Sequence, residues 1–239
     1  MIEGRPPQTW WPAGPEALAG LQSRLGEQAR DDWRPANVGC LAVASVFVAC
    51  PTGRPGPGSA GEPCWAAAVL WRTGDVRHQV TVGGQTGAPY AAGLLALRYG
   101  ALLERAVLAL EQQPDLLLVD ATGRDHPRRA GLALHLGAAL EVPSVGVTNR
   151  ALLAAAAEPG PQRGDCAPLT IDGELVGYAV RTREGTLPVL AHAAWRTSAD
   201  TARAVTLALA ARWRTPEPLR RARTLARVAR AADEGRSLG

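Results

Sequence analysis

The sequence predicts an α/β protein built on a mixed central sheet, and three observations carry that expectation. Short apolar runs rich in β-branched residues alternate with segments of helical periodicity along most of the chain. The early runs are joined by loops and tight turns, as antiparallel neighbours are, whereas later ones are separated by helical segments that allow parallel crossovers. Leu116-Leu117-Leu118-Val119, with Pro114 before it and Gly123 after it, is uninterruptedly apolar, as a fully buried strand is.

Each element follows from its local pattern. Pro15 to Gln28 carries Leu18, Leu21 and Leu25 at helical spacing and predicts an N-terminal helix. Val38 to Cys50 predicts a central strand, ended by the Pro- and Gly-dense loop 51–63. Trp65 to Arg72 and Arg77 to Val82 flank Thr73-Gly74-Asp75 and predict a hairpin. Tyr90 to Gln112 places Leu95, Tyr99, Leu102, Leu103, Ala106, Val107 and Leu110 on one face of a long helix. Ala130 to Leu140 predicts a short helix, and Ser144 to Thr148 a strand entered through Pro143. Residues 154–165 have loop composition, and Leu169 to Ile171 with Leu175 to Arg181 make a second hairpin around Asp172-Gly173-Glu174.

Pro188 to His192 predicts one more strand, and Ser198 caps a helix expected to run through Trp213. In the segment Leu219 to Arg230, Arg220, Arg223, Arg227 and Arg230 share one side, opposite Ala222, Leu225 and Ala229. A solvated helix face is the favoured explanation of that stripe over a phosphate-facing one. Three antiparallel strands, a helix, a strand, a helix and a strand form a central five-stranded mixed sheet flanked by helices, with an added hairpin and C-terminal helices. That order is the order of the ribonuclease H-like fold.

A chain of 239 residues is long enough to bury one substantial core. The expected organisation is a flexible N-terminus over 1–15, a single domain over 16–230 and a flexible tail over 231–239. All 26 basic residues are arginine, which excludes Schiff-base or general-base chemistry by lysine. A net charge of +4 is compatible with an anionic partner without requiring one, since 22 acids dilute it. Cys40, Cys50, Cys64 and Cys166 form no CxxC pair and are expected to be small buried residues in a reducing compartment. No run has the length of a membrane span and no signal-peptide pattern is seen, so a soluble, cytoplasmic protein without a membrane partner is expected. Ile2-Glu3-Gly4-Arg5 spells a protease recognition sequence and carries no weight in the fold.

The chemistry concentrates between Leu116 and Asn149. Asp120 ends the apolar strand, on the side of an α/β sheet where ligands bind, and is a candidate for holding a hard divalent cation through oxygen. The turn His126-Pro127-Arg128-Arg129 follows with two guanidinium forks suited to phosphate oxygens. An aspartate there can equally cap a turn or pair with one of those arginines, and the local sequence leaves both open.

Pro114-Asp115-Leu116-Leu117-Leu118-Val119-Asp120, then Gly123, His126-Pro127-Arg128-Arg129, Gly131, His135, Gly137 and Val142-Pro143-Ser144-Val145-Gly146-Val147, resemble the endonuclease V family in residue type and spacing. Pro89-Tyr90 followed by Gly93 resembles that family's wedge motif, and Pro216-Glu217-Pro218 its Pro-Glu-Pro turn. The resemblance covers Leu18 to Arg223. It implies a ribonuclease H-like fold that recognises deaminated bases, chiefly hypoxanthine (inosine), in DNA or RNA. It also implies strand cleavage nearby with Mg²⁺ held by carboxylates. By the same resemblance Tyr90 is the wedge, Gly123 lies in the loop against the flipped base, and His126, Arg128 and Arg129 belong to the nucleic-acid surface.

Departures from the family fall on the chemistry. Ala44 stands at the family's first-strand aspartate, Tyr99 at a glutamate, Asn149 at a lysine and Trp195 at a histidine, with His192 close by. Of the acidic set only Asp120 matches. Glu104 lies about 140° around the helix from Tyr99, and Asp125 sits in the turn. The leading expectation is a family member, expected to be monomeric, that keeps nucleic-acid binding while its nuclease chemistry is reduced or lost. The alternatives are an active Mg²⁺-dependent endonuclease with a ligand set relocated around Asp120, Glu104 or Asp125, and a protein-interaction scaffold anchored by tryptophans such as Trp10, Trp11 and Trp195.

Overall fold

A computed structural model describes residues 10–28, 33–53, 56 and 58–235. The protease-site sequence at Ile2 to Arg5 lies outside the described residues. A single sheet of nine strands runs through the molecule in the order β3-β2-β1-β4-β5-β9-β8-β7-β6. Strands β1 (Val43–Ala49), β2 (Pro63–Arg72) and β3 (Asp75–Gln85) form an antiparallel meander, and β4 (Leu116–Val119) and β5 (Ser144–Thr148) add parallel to β1. These are the five strands expected from the sequence, in the ribonuclease H-like order.

The added hairpin is not separate from that sheet. Strand β9 (Val189–Ala193) pairs antiparallel with β5 and continues through β8 (Glu174–Val180) and β7 (Cys166–Ile171) to β6 (Ala155–Ala156). The last is a short strand inside the segment expected to be loop.

Strand β4 is central and buried on both faces, which explains its unbroken apolar run. Leu117 and Val119 face a core shared with α1 (Pro15–Gln28), α2 (Leu95–Leu108) and α3 (Leu132–Leu140). Leu116 and Leu118 face the opposite core, built with α4 (Ala199–Leu209) and Leu219 of α5 (Glu217–Asp233).

Several boundaries differ from the sequence expectation for physical reasons. Helix α2 begins at Leu95, because Gly93 takes φ 77° and Pro89 precedes it, so Tyr90 lies in the lead-in loop. A single 3-10 turn, Val38–Cys40, capped by Asn37, replaces the start of the expected first strand. Helix α4 has its Ser198 cap but stops at Leu209, well before Trp213. The packed structure also reaches beyond 16–230: α5 continues to Asp233, which accepts a hydrogen bond from Trp65 Nε1. At the other end, Trp11 stacks on His135 with ring centroids 4.7 Å apart. All four cysteines are free, and only Cys64 is fully buried; Cys40 and Cys166 are exposed, contrary to expectation.

Candidate functional site

The C-terminal ends of β4 and β5, the Tyr90–Gly93 loop and α1 enclose a pocket of about 320 Å³. Asp120, Ala121 and Thr122 form one wall, Tyr90 and Gly93 another, and Thr148 with Arg150–Leu152 a third. Tyr90 is 47% exposed, so its ring stands at the mouth. Ala121 lines the wall.

Close backbone packing fixes that wall. A Cβ on Gly146 would lie 2.3 Å from Ala121 O, one on Gly131 2.4 Å from Thr122 O, and one on Gly123 2.0 Å from Ala193 O. Gly123 is therefore required by the approach of β9. Its carbonyl accepts from Gly131 N–H, and Thr122 O accepts from Ala133 N–H, which ties the loop to the start of α3.

Asp120 is paired, but with neither Arg128 nor Arg129. Arg223 of α5 donates from Nε to Asp120 Oδ2 at 2.8 Å and from Nη2 to Oδ1 at 2.9 Å. Both side chains are largely covered, 15% and 18% exposed. The arginine stripe of α5 is thus not simply a solvated face. Pro218, Leu219, Ala222, Ala226 and Ala231 are the buried residues of α5, and the arginines flank them. Arg230 donates to Cys50 O, Arg220 pairs with Glu217, and Arg227 lies over the Phe47 ring.

The turn arginines are also satisfied within the chain. Arg128 donates from Nε and Nη2 to Gln22 Oε1, while Arg129 and Arg124 share Glu174, and Arg129 reaches Asp172. His126 lines the pocket and is buried, with Nε2 2.9 Å from Gly93 O and Nδ1 accepting from Arg128 N–H. Arg128, Arg129, Gly123 and Asn149 do not line the pocket, whereas Asp120, Tyr90 and His126 do. Asn149 accepts from Arg214 Nη1 at 2.9 Å.

The positions at which the resemblance implies substitutions are occupied by packed side chains. Ala44 is fully buried on β1. Tyr99 OH accepts from Arg98 Nε and lies 3.3 Å from Cys50 Sγ, and burial above all pushes the phenol up to about 12. Arg98 itself is 3% exposed and also holds Glu62, Ser59 O and Ala88 O. Trp195 is half-buried against the α1–α2–α3 core, not standing free in a cleft.

The acids considered as replacements are engaged elsewhere. Glu104 accepts from Trp11 Nε1 at 2.7 Å. Asp125 is fully buried and accepts from the backbone N–H groups of Leu152, Leu153 and Ala154, strapping the 152–154 segment to the turn. Among the described residues no group of three or more His, Cys, Asp or Glu is placed to hold a metal ion. With both Asp120 oxygens committed to a guanidinium and alanine on β1, the donor set does not fit a hard divalent cation.

Three buried histidines give the fold a distinct acid response. Burial pushes His126, His135 and His192 down to about 4. Their ring nitrogens meet Gly93 O, Trp10 O and Thr148 Oγ1 respectively. They stay neutral in the folded state while the unfolded chain takes up protons below about pH 6.5. Stability from these groups is therefore complete above that pH and falls as pH drops toward 4. Melting temperatures between pH 7.5 and 5 should decline, with most of the loss below 6.5; a flat profile would contradict this placement.

The endonuclease V sequence profile matches residues 42–224. The chain belongs to the endonuclease V family. An endonuclease V from Nocardia farcinica is 44% identical over 129 residues, a match spanning 54% of this chain and 57% of that protein. The crystal structure of an endonuclease V from Streptomyces avermitilis shares 36% identity and a TM-score of 0.84, covering 94% of this chain and 96% of that one. At 18% identity, endonuclease V from Ciona intestinalis shares the fold with a TM-score of 0.73, covering 92% of this chain and 100% of that one. That structure holds a 24mer DNA containing an inosine followed by a ribo-adenosine.

Sequence reasoning placed Arg223 in the α5 stripe but missed its pairing with Asp120, and it did not single out Arg214. The signal for Arg223 was its place one turn from both Leu219 and Ala226, which puts it at the edge of the buried stripe. No helix among the described residues is long and apolar enough to cross a membrane.

Proposed function

We propose that this endonuclease V-family protein binds nucleic acid and seats an extruded deaminated base, hypoxanthine, in the Asp120–Ala121–Thr122 pocket without cutting the strand. The observation that carries this is the contrast at Asp120, where the pocket wall is intact while both carboxylate oxygens are held by Arg223. A base must leave the stack before its edge can be read, and unstacking is least costly where pairing is already poor. Tyr90, exposed at the pocket mouth, is suited to fill the gap left in the stack. The 120–123 loop is held rigid by backbone hydrogen bonds to Val119, Gly131 and Ala133, and Asp120, Ala121 and Thr122 face the pocket from it. A divalent cation at Asp120 would supply charge neutralisation and activated water, but the residues present do not fit one, so no metal-borne step is assigned to this chain.

The relocated-ligand alternative is weakened because Glu104 and Asp125 are already engaged, and the scaffold alternative because Trp195 is packed. The test is incubation of a labelled inosine-containing strand, as DNA and as RNA, with Mg²⁺ or Mn²⁺ and with wild type or Asp120→Asn. Binding without nicking is expected, with affinity falling steeply as salt rises. Nicking by wild type that Asp120→Asn abolishes would restore the protein to the active nucleases.

A further inference from the structure

Asp120 is held by one guanidinium, and a second, Arg214, is the neighbour in sequence of Thr215, which Arg223 approaches; the two play different parts. Arg223 is paired to the carboxylate and has its third nitrogen, Nη1, 3.4 Å from Thr215 Oγ1. Arg214, the residue before Thr215, makes no ion pair among the described residues. It donates to Leu187 O at 2.6 Å, to Pro188 O at 2.7 Å and to Asn149 Oδ1 at 2.9 Å, all uncharged acceptors. Burial, and after it the positive charge of Arg223, lowers its pKa, so the two cations sense each other while only one is neutralised. A partly covered guanidinium without a carboxylate of its own is a ready partner for an anion. Asn149, which anchors Arg214, lies in sequence between Thr148 and Arg150, two residues that line the pocket. The unneutralised charge is therefore tied to the end of β5, the strand end that carries one wall of the pocket.

We infer that Arg214 and Arg223 replace a divalent cation in this protein: Arg223 cancels the charge of Asp120, and Arg214 holds the phosphodiester next to the extruded base. The inference deepens the nucleic-acid reading and rests on it for the phosphate, but the role of Arg223 stands without it. Phosphate contact at Arg214 is thus metal-independent. With three of its five N–H groups engaged by Leu187 O, Pro188 O and Asn149 Oδ1, Arg214 keeps two N–H donors, one on each Nη, for phosphate oxygens.

Two measurements test this separately. In the first, Mn²⁺ alone is titrated calorimetrically into wild type and Asp120→Asn without nucleic acid. No saturable site that depends on Asp120 is expected; a site present in wild type and lost in Asp120→Asn would overturn the role given to Arg223. In the second, binding of the inosine-containing strand is measured over a salt series in EDTA and in Mg²⁺ at matched ionic strength. Wild-type affinity should be equal in the two media. Arg214→Ala should weaken binding about tenfold and reduce the salt slope by about 0.7, the value of one lost contact to a single strand, while Arg214→Lys recovers most of both. A tenfold loss of wild-type affinity in EDTA, or an unchanged salt slope in Arg214→Ala, would overturn the phosphate role. Wild type that binds neither DNA nor RNA at low salt would overturn the nucleic-acid reading and Arg214 with it, and the Mn²⁺ titration would still decide Arg223. Circular dichroism of each variant separates these effects from loss of fold.

Discussion

Arg223→Met is expected to lower the unfolding free energy by about 3 kcal/mol, because it leaves the largely covered Asp120 carboxylate without its cation. For a chain of this size that corresponds to a fall in Tm of roughly 6–12 °C. The cost is mostly that of an uncompensated charge, so removing the charge should relieve it. Asp120→Asn in the Arg223→Met background is therefore expected to recover a large part of the lost stability, although the same change alone is destabilising. Urea unfolding of the four proteins in the cycle measures the coupling. Additive effects of the two substitutions would mean that the bidentate pair does not form in solution.

The second large effect is expected at Asp125. Its buried carboxylate accepts from three backbone N–H groups, and Asp125→Ala would remove the acceptor of all three, the one on buried Ala154 with least access to water. A buried donor left unsatisfied costs about 1–3 kcal/mol and a hydrogen bond to a charged group contributes about as much, so a loss of about 2–3 kcal/mol is expected. The consequence reaches the pocket, because Leu152 is both a partner of Asp125 and part of the pocket wall. Amide hydrogen exchange should show loss of protection confined first to Leu152, Leu153 and Ala154. Unchanged protection there, with an unchanged melting temperature, would remove Asp125 from its role as a strap.

The sheet was legible because β1, β2, β4 and β5 are apolar runs bounded by turn residues and β3 alternates along its length, and periodicity and punctuation are local properties. Helix α1 and strands β4 and β5 have the limits their sequences suggested. The merging of the added hairpin into one sheet was not legible, since pairing between β5 and β9 joins segments more than forty residues apart. The same reason hid the fate of Asp120. Sequence offered Arg128 and Arg129 as nearby partners, and the fold supplied Arg223 from 103 residues away. The substitutions at Ala44 and Tyr99 could be counted by resemblance. Only packing shows that Tyr99 is locked to Arg98 and Cys50, and that Glu104 is already held by Trp11.

That 103-residue separation also sets an order of events during synthesis. At a translation rate of about 5–20 residues per second, Asp120 emerges roughly 5–20 seconds before the arginine that neutralises it. Until α5 docks, a nascent sheet carries a bare carboxylate at the end of its central strand. The last helix therefore closes an electrostatic gap as well as a hydrophobic one. Its docking is the step at which the growing chain first acquires the charge distribution of the finished protein.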